Sequence, residues 1–551
     1  MNLWRHYLLV VCFGVCAAGL IGRVAYLGVT EHDFLKEQGE ARSVRVATIP
    51  VHRGVIYDRH GEPLAVSTPS LSPWVDPSLT VLTRPQIALV AGVLDIAAQH
   101  LADRLENASG RQFAYLKRLI KPEVADALRA LHIDGIRFQR EYQRFYPAGE
   151  IAAHVVGMTD IDDSGQEGVE LAMDAALRGR KGTKRVLRDR RGRTVRDLAY
   201  LSVPEFGHDV TLSLDLRLQF LAYRELKSAV EHNRAESGSL VMLDVDTGEV
   251  LALVNQPSFN PNTFDGRQAS GVRNRAITDT YEPGSTVKPL AMLAALESGR
   301  FSENSVIDTS PGYFMIGHKL IEDPINRGRL SMAEILIKSS QVGVAKVALT
   351  LGARDVFDVY ARAGLGDAPG TGLPGESLGK LTDVDLDKPI ARAALAYGYG
   401  LMVSPMQLAL SYLTLATGGV HRSATVFRQT AVGPAVRVFE ERHVRSIVTM
   451  MEGVVGAGGT APKAGVRGYR VAGKTGTVRK VSAHGYDDER HVAFFAGFAP
   501  VGTPKIVVVV VLNEPRGDAG GGGEVAAPVF SRVVARALRV LGIAPDGRET
   551  V

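Results

Sequence analysis

Three short polar motifs in the second half of the chain carry residues suited to serine acyl chemistry. The first is Ser285-x-x-Lys288, which follows the turn-forming pair Pro283-Gly284 and precedes an apolar, alanine-rich run. This pattern predicts a helix that begins at Ser285 and enters the core. Residues three apart lie on the same side of a helix, so the Lys288 amine can reach the Ser285 hydroxyl. A buried lysine whose pKa is lowered can remove the serine proton and make the hydroxyl a nucleophile.

The other two motifs could complete such a site. A polar kink at residues 337–343 offers Ser339, a second hydroxyl for proton relay, and Gln341, an amide for a substrate backbone. The run Lys474-Thr475-Gly476-Thr477 supplies a cation that would lower the pKa of Lys288. Its threonine hydroxyls suit a substrate carboxylate, and Gly476 would let an extended substrate lie along a strand edge.

The same lysine also belongs to a competing pattern. Residues 468–475 satisfy G-x-x-x-x-G-K-[ST], the expression for a phosphate-binding loop. Such a loop opens a helix, but Gly476-Thr477-Val478 is a poor helix start, and the middle residues Tyr-Arg-Val-Ala resemble a strand. A magnesium-binding aspartate is also missing after the apolar run 507–512, which leads into Asn513. Nucleotide binding is therefore the weaker interpretation.

No metal site or cofactor is predicted. His484, Asp487, Asp488 and His491 lie close in sequence, but Gly485 and the surrounding charges favour an exposed turn between two strands. The chain has only two cysteines, Cys12 and Cys16, which excludes a disulfide framework and a cysteine-rich metal site.

The composition is that of a folded protein with more than one domain. The 551 residues are 45% hydrophobic and 22% charged, which excludes wholesale disorder. The net charge of +5 is small for this length and gives no support for a nucleic-acid partner.

The first 29 residues predict a membrane anchor. The run from Tyr7 to Gly22 has no charge, and with its extension to Val29 it reaches the roughly 20 residues that a spanning helix needs. A small-residue cleavage site is missing at its end, so we predict an uncleaved anchor at 7–29 after a cytoplasmic tail at 1–6. Arg5 before the segment and two acids after it favour export of the rest of the chain. Arg23 would either snorkel to the interface or contact a partner helix.

The remainder predicts two parts, a non-catalytic module at 30–205 and a catalytic domain at 206–545. The module has mixed strand and helix patterns, including a helical stretch at 85–105. Its basic segment at 178–196 is read as a solvated strand-turn-strand surface rather than a site for anionic glycans or lipids. The second part begins with an amphipathic helix near residues 209–230, capped by Ser213 or Asp215. A hairpin at 240–254, a doubly covered strand at 506–512 and a helix at 527–540 then predict an α/β or α+β domain.

The order S-x-x-K, S-x-[NQ], K-T-G resembles the serine-transferase domain of the class B penicillin-binding proteins. The similarity extends over most of the chain. Its further matches are Arg53-Gly54-Val55-Ile56-Tyr57-Asp58-Arg59, Tyr146-Pro147, Gly168-Val169-Glu170, Asn274-Arg275-Ala276, Gly398-Tyr399-Gly400 and Ala526-Ala527-Pro528-Val529-Phe530.

The resemblance implies a fold like that of the serine β-lactamases and a role for each motif residue. Ser285 would be the acylated nucleophile, Lys288 its general base and Ser339 the relay to the leaving amine. Lys474, Thr475 and Thr477 would hold the substrate carboxylate beside Gly476. The backbone amides of Ser285 and Thr477 would form the oxyanion hole.

Two positions depart from the family pattern. Gln341 stands where the family usually has Asn, so its amide would extend one methylene further. Residues 518–523, Asp-Ala-Gly-Gly-Gly-Gly, replace aromatics that division-type members often carry. We expect this glycine run to loosen the acceptor or antibiotic side-chain pocket.

The closest resemblance is to the division-specific members. It implies a D,D-transpeptidase that cross-links peptidoglycan stem peptides at the septum and is inhibited by β-lactams. It also implies an inner-membrane anchor, a periplasmic catalytic domain, and partners that include a septal glycan polymerase and other divisome membrane proteins. The alternatives are a β-lactamase, a β-lactam sensor, or a weakened paralogue that acts as a divisome scaffold.

Overall fold

A computed structural model gives the fold of the chain. It describes residues 3–189, 194–264, 266, 269–381, 385–482, 485–517 and 520–547. The chain divides into two compact units. The first consists of Met1–Arg53, Pro69–Tyr142 and Arg178–Gly207, and the second of Gly54–Thr68, Gln143–Leu177 and His208–Val551. The predicted domain boundaries remain a prediction.

The first unit begins with the helix Leu3–Val29, which is long and apolar enough to span a membrane and contains an 18-residue window with a mean hydropathy of 2.2. It contains the predicted anchor and starts four residues earlier. After the helix His32–Ser43, the chain enters a three-stranded antiparallel sheet. Its strands, in spatial order, are Val44–Ile49, Gly182–Arg188 and Thr194–Ser202. The last two confirm the two strands predicted in the basic segment, whose Arg190, Arg191 and Arg193 lie outside the described residues.

A small helical core completes the first unit. Its helices are Arg84–Leu94, Ala98–Asn107 and Pro122–Ala130, and its strands are Ala114–Tyr115 with the end of Pro63–Val75. The helical stretch predicted at 85–105 is confirmed, but it is divided into the first two of these helices, between which the chain bends by 116°. Asp95 adopts a left-handed conformation with φ 50°, which aspartate tolerates and which ends the first helix.

The second unit is built on a five-stranded antiparallel sheet. Its strands, in spatial order, are Val250–Gln256, Ser237–Asp244, Ile506–Asn513, Gly485–Ala499 and Ala472–Ser482. The central strand Ile506–Asn513 is buried throughout. Its alternate side chains enter two hydrophobic clusters on opposite faces of the sheet, which confirms the predicted doubly covered strand.

Helices cover both faces of this sheet. Leu216–His232 and Ala527–Val540 share one hydrophobic cluster, and Lys288–Glu297 and Pro405–Ala416 share the other. The first of these helices begins at Leu216, and Asp215 caps it by accepting a 3.0 Å hydrogen bond from the Arg217 amide. The predicted helix at 527–540 and hairpin at 240–254 are confirmed.

The remaining elements of the second unit are short. The helices are Ala153–Val156, Gly168–Ala172, Asp174–Arg178, Ala269–Val272, Arg275–Thr278, Met332–Ile337, Gln341–Thr350, Asp355–Arg362, Pro389–Ala396, Glu441–Val455 and Gly522–Val525. The strands are Ile56–Tyr57, Arg137–Phe145, Met158–Thr159, Gly165–Glu167, Val210–Thr211, Val306–Asp308, Tyr313–Ile316, Lys319–Glu322, Arg329–Ser331, Val420–Arg422 and Ala435–Arg437. Arg137–Phe145 and Asp174–Arg178 run across the boundary between the two units.

Candidate active site

Ser285 lies on a tight turn rather than on the first turn of an α-helix. The segment Gly284–Val287 is 3₁₀, and the α-helix begins at Lys288. Gly284 has φ 52°, and a Cβ there would lie 2.3 Å from Val478 Cγ2. The Thr286 hydroxyl donates to the Pro283 carbonyl at 2.6 Å. These contacts press the turn against the strand Ala472–Ser482 and leave Ser285 half-buried.

Lys288 is fully buried at the start of its helix. Its Nζ donates to the Ser339 carbonyl oxygen at 2.7 Å and lies 3.3 Å from the Ser339 hydroxyl. Burial lowers the pKa of Lys288 to about 7, while the Asp323 carboxylate acts in the opposite direction. Near neutral pH a large fraction of this amine is therefore unprotonated and able to accept a proton.

Lys474 reaches the same hydroxyl from the strand Ala472–Ser482. Its Nζ donates to Ser339 Oγ at 3.0 Å and to the Thr475 carbonyl oxygen at 3.3 Å. Burial holds the pKa of Lys474 well below its usual value, and the positive charge of Lys288 lowers it further. The structure thus brings two amines and an alcohol together from positions far apart in the sequence.

Ser339 is held between two helices in a strained backbone conformation. It has φ 57°, which is uncommon for a residue with a side chain, between the helices Met332–Ile337 and Gln341–Thr350. The next residue, Ser340, caps the second helix by accepting a 2.8 Å hydrogen bond from the Gly343 amide. Strain of this kind is frequent at functional sites and is stabilised by the surrounding structure.

Asp323 is the residue that stabilises this kink, and sequence reasoning missed it. Its carboxylate accepts hydrogen bonds from the amides of Gln341 at 2.6 Å and Val342 at 3.2 Å, and from the Ser340 hydroxyl. It therefore occupies the positive N-terminal end of the helix Gln341–Thr350. No periodicity or motif marks Asp323, which directly follows Glu322, in the sequence.

The substitution Asp323→Asn is expected to move the pH profile of acylation to lower pH. Removing the negative charge takes away the effect that raises the pKa of Lys288, so the amine loses its proton at lower pH. The variant should also unfold more easily, by about 1.5–3 kcal/mol, because a charge-assisted hydrogen bond is lost. Stopped-flow acylation across pH 5–9 and thermal melting measure both effects. Asp358→Asn, at an exposed position of the helix Asp355–Arg362, is the control. An unchanged midpoint would contradict this role.

The edge of the sheet provides the third part of the site. The strand Ala472–Ser482 is the last strand of the sheet, and a Cβ at Gly476 would lie 2.8 Å from Thr286 Cγ2 and 3.1 Å from the Pro283 oxygen. Glycine is therefore required for the strand to pack against the Ser285 turn. Thr475 is buried with its hydroxyl 3.1 Å from that of Thr460, whereas Thr477 is exposed.

Three of the four glycines at 520–523, Gly520, Gly522 and Gly523, have no room for a side chain, and the expected loosening of the pocket by this run remains a prediction. A Cβ at Gly522 would lie 2.2 Å from the Phe494 oxygen, and one at Gly523 would lie 2.4 Å from the Thr460 oxygen. The Gly522 amide donates to Thr477 Oγ1 at 3.0 Å. Close backbone approach, not flexibility, explains why these positions are glycine. Asp518 and Ala519 lie outside the described residues.

A groove of about 760 Å³ opens beside these residues. Gln341 and Thr477 line it, together with Tyr399, Arg479 and Tyr486. Near it, the Glu282 carboxylate accepts hydrogen bonds from the Gly400 amide at 2.9 Å and the Tyr486 hydroxyl at 3.1 Å. Burial raises the pKa of Glu282. Sequence reasoning missed Glu282 and Tyr486, because neither belongs to a recognisable pattern.

The structure also shows where residues of the two alternative patterns lie, the phosphate-binding loop and the metal cluster. Lys474 and Thr475 lie inside the strand Ala472–Ser482 and not at the start of a helix. A phosphate-binding loop would need a helix there, so the structure agrees that nucleotide binding is the weaker interpretation. Of the four residues considered for a metal, Asp487 pairs with Arg490 at 2.7 Å and His491 lies on a strand facing Gly520. His484 and the side chain of Asp488 lie outside the described residues.

Two family models match the chain. One, described as the penicillin binding protein transpeptidase domain, matches residues 238–535, and the other, the penicillin-binding protein dimerisation domain, matches residues 48–212. Together they match residues in both of the parts predicted after the apolar N-terminal segment.

Similar proteins are matched over nearly their full length. The peptidoglycan D,D-transpeptidase FtsI of Escherichia coli is 42% identical over 99% of this chain and 93% of its own. The probable peptidoglycan D,D-transpeptidase PenA of Neisseria gonorrhoeae is 38% identical over 98% and 93%.

Solved structures agree with these matches. Penicillin binding protein 3 of Mycobacterium tuberculosis, complexed with aztreonam, is 26% identical with a TM-score of 0.71, and covers 91% of this chain and 98% of its own. The transpeptidase domain of Burkholderia pseudomallei penicillin-binding protein 3 is 38% identical with a TM-score of 0.56, over 61% and 98%.

These matches confirm the predicted α/β transpeptidase fold, the N-terminal module and the enzyme class. The relatives align nearly from end to end with a chain that carries the three motifs, and the structure brings Lys288, Ser339 and Lys474 together. The chain therefore belongs to the class B penicillin-binding proteins.

Proposed function

We propose that this chain is a peptidoglycan D,D-transpeptidase that uses Ser285 as its nucleophile and that β-lactams inhibit it. The observation that carries the proposal is the convergence of Lys288 and Lys474 on the Ser339 hydroxyl, at distances of 3.3 and 3.0 Å. Two buried amines with lowered pKa values beside a serine turn are suited to moving protons near neutral pH.

Acylation begins at the Ser285 turn. Unprotonated Lys288 takes the hydroxyl proton as Ser285 attacks the carbonyl of the penultimate D-alanine in a donor stem peptide. The amides of Ser285 and Thr477 would stabilise the oxyanion of the tetrahedral intermediate. The proton then passes through Ser339 to the leaving D-alanine, and an ester with Ser285 remains.

Lys474 couples substrate binding to this proton transfer. The terminal carboxylate of the donor would be bound by Lys474 and the hydroxyls of Thr475 and Thr477. A nearby negative charge raises the pKa of an amine, so carboxylate binding favours protonated Lys474. Its positive charge in turn disfavours a proton on Lys288, which therefore remains the base.

The donor backbone fits along the groove. The strand Ala472–Ser482 is at the edge of the sheet, so an extended peptide could add to it at Gly476 by backbone hydrogen bonds. Gln341 also lines the groove, and its longer amide would bind the donor in place of the usual Asn. An amine of a neighbouring stem then attacks the ester, and Ser285 regains its proton.

A two-substrate assay tests this proposal. Purified protein is incubated with a pentapeptide-stem donor and an excess of an amine acceptor, and released D-alanine and cross-linked product are measured. We expect both in equal amounts, with a burst that benzylpenicillin blocks. Rapid turnover of a chromogenic cephalosporin without cross-linking would instead indicate a β-lactamase.

We further propose that the protein works at the septum, with its catalytic domain in the periplasm. The end-to-end similarity to FtsI and the apolar helix Leu3–Val29 support this placement. A septal glycan polymerase and other divisome membrane proteins are the proposed partners. A fluorescent fusion should localise to division sites, and a uniformly sidewall signal would reject the septal role.

A further inference from the structure

His491 holds the segment that contacts the predicted carboxylate-binding threonine. It lies on the strand Gly485–Ala499, opposite Arg479 on the neighbouring strand. Its Nε2 lies 2.6 Å from the Gly520 carbonyl oxygen, so the ring donates a hydrogen bond to that carbonyl. A Cβ at Gly520 would lie 2.5 Å from the same nitrogen. The imidazole therefore fills the space that a side chain at position 520 would need.

The other end of this segment contacts Thr477. The Gly522 amide donates to Thr477 Oγ1 at 3.0 Å. Gly522 is held close to the sheet, because a Cβ there would lie 2.5 Å from the Gly476 oxygen. His491 and Thr477 are thus linked through only three residues of backbone.

This contact determines what the Thr477 hydroxyl can do. A hydroxyl has one hydrogen to donate and two lone pairs that accept. Because the Gly522 amide already donates to one lone pair, the hydroxyl hydrogen is free to point into the groove that Thr477 lines. A carboxylate only accepts hydrogen bonds, so a threonine oriented in this way matches it.

We propose that His491 is a positioning residue for recognition of the substrate carboxylate. The His491 ring fixes the position of the Gly520 carbonyl, and this places the Gly522 amide where it donates to Thr477. That hydrogen bond directs the Thr477 hydroxyl toward the carboxylate. This inference rests on the proposed function, in which Thr477 binds that carboxylate. It adds a residue outside the three sequence motifs to the determinants of affinity for donor peptides and penicillins.

The test compares His491→Ala with His491→Gln, using acylation by benzylpenicillin under saturating and sub-saturating conditions. The alanine variant should bind about three- to tenfold more weakly, the effect of one hydrogen bond, with an unchanged acylation rate at saturation. The glutamine amide can donate at nearly the same place and should restore most of the affinity. His232→Ala, at the exposed end of the helix Leu216–His232, is the matched control.

A double-mutant cycle with Thr477→Ala separates this role from a general loss of structure. If His491 acts through Thr477, adding His491→Ala to Thr477→Ala should cause little further loss of affinity. Fully additive losses, a fall in the saturated rate, or no effect of His491→Ala would overturn the inference. If the unaltered chain is not acylated at all, the proposed function itself fails.

Discussion

Replacing Ser285 with alanine is expected to abolish covalent labelling of the protein by a fluorescent penicillin. The variant loses the oxygen that forms the ester, while Lys288, Ser339 and Lys474 keep their mutual contacts, because those hydrogen bonds join the three residues directly and do not involve the Ser285 side chain. Loss of a catalytic nucleophile typically costs about 10⁴-fold or more in rate. In-gel fluorescence and intact-protein mass spectrometry measure the result.

Two controls make this outcome interpretable. Ser298→Ala, at the other end of the helix Lys288–Glu297, removes a hydroxyl that donates to the Ala295 carbonyl at 2.7 Å, and should label normally. The melting temperature of Ser285→Ala should stay close to that of the unaltered chain, since Ser285 is only half-buried. Persistent labelling of a folded Ser285→Ala protein would reject the assignment.

The second large effect is expected at Lys288. Its pKa of about 7 means that the reactive, unprotonated amine is rare at low pH and predominant at high pH. In the unaltered protein, the acylation rate constant should therefore rise about tenfold per unit below pH 7 and level off above it. Lys288→Gln removes the base and should lower the rate about 10²–10⁴-fold, with the rise near pH 7 lost.

The control for this substitution is Lys346→Gln, which alters a half-buried lysine whose amine donates to the Asp308 carbonyl. It should keep both the rate and the profile. A Lys288→Gln protein with an undiminished rate, or with the same dependence on pH, would show that another group removes the serine proton.

The sequence predicted those parts of the fold that depend on local patterns. The strand 506–512 was predictable because a continuous β-branched run suits burial on both faces, and the helix 527–540 because its periodicity is strong. The break at Asp95 was not predictable, because a single left-handed residue ended a helix whose apolar pattern continues. The Ser285 turn was read as α-helix because a 3₁₀ turn and a first α-helical turn have the same composition.

The residues of the candidate site divide in the same way, into those that stand in recognisable motifs and those whose roles come from tertiary contacts. Ser285, Lys288, Ser339 and Lys474 stand in motifs, so their types and order could be recognised. Asp323 could not, because its role comes from tertiary contacts with amides at positions 341 and 342. His491 stood out in the sequence only as part of a His and Asp cluster for which a metal site was considered and not predicted. The glycines at 520–523 suggested flexibility, although the backbone at Gly520, Gly522 and Gly523 packs too closely for a side chain.

Peptide mapping after penicillin treatment tests the central claim most directly. The purified full-length protein is incubated with benzylpenicillin, digested and analysed by tandem mass spectrometry. The proposed site predicts a single penicilloyl adduct in the unaltered protein, located on Ser285. After a brief exposure, the Lys288→Gln protein should carry no adduct. An adduct on another serine, or an intact protein of unchanged mass after prolonged exposure, would contradict it.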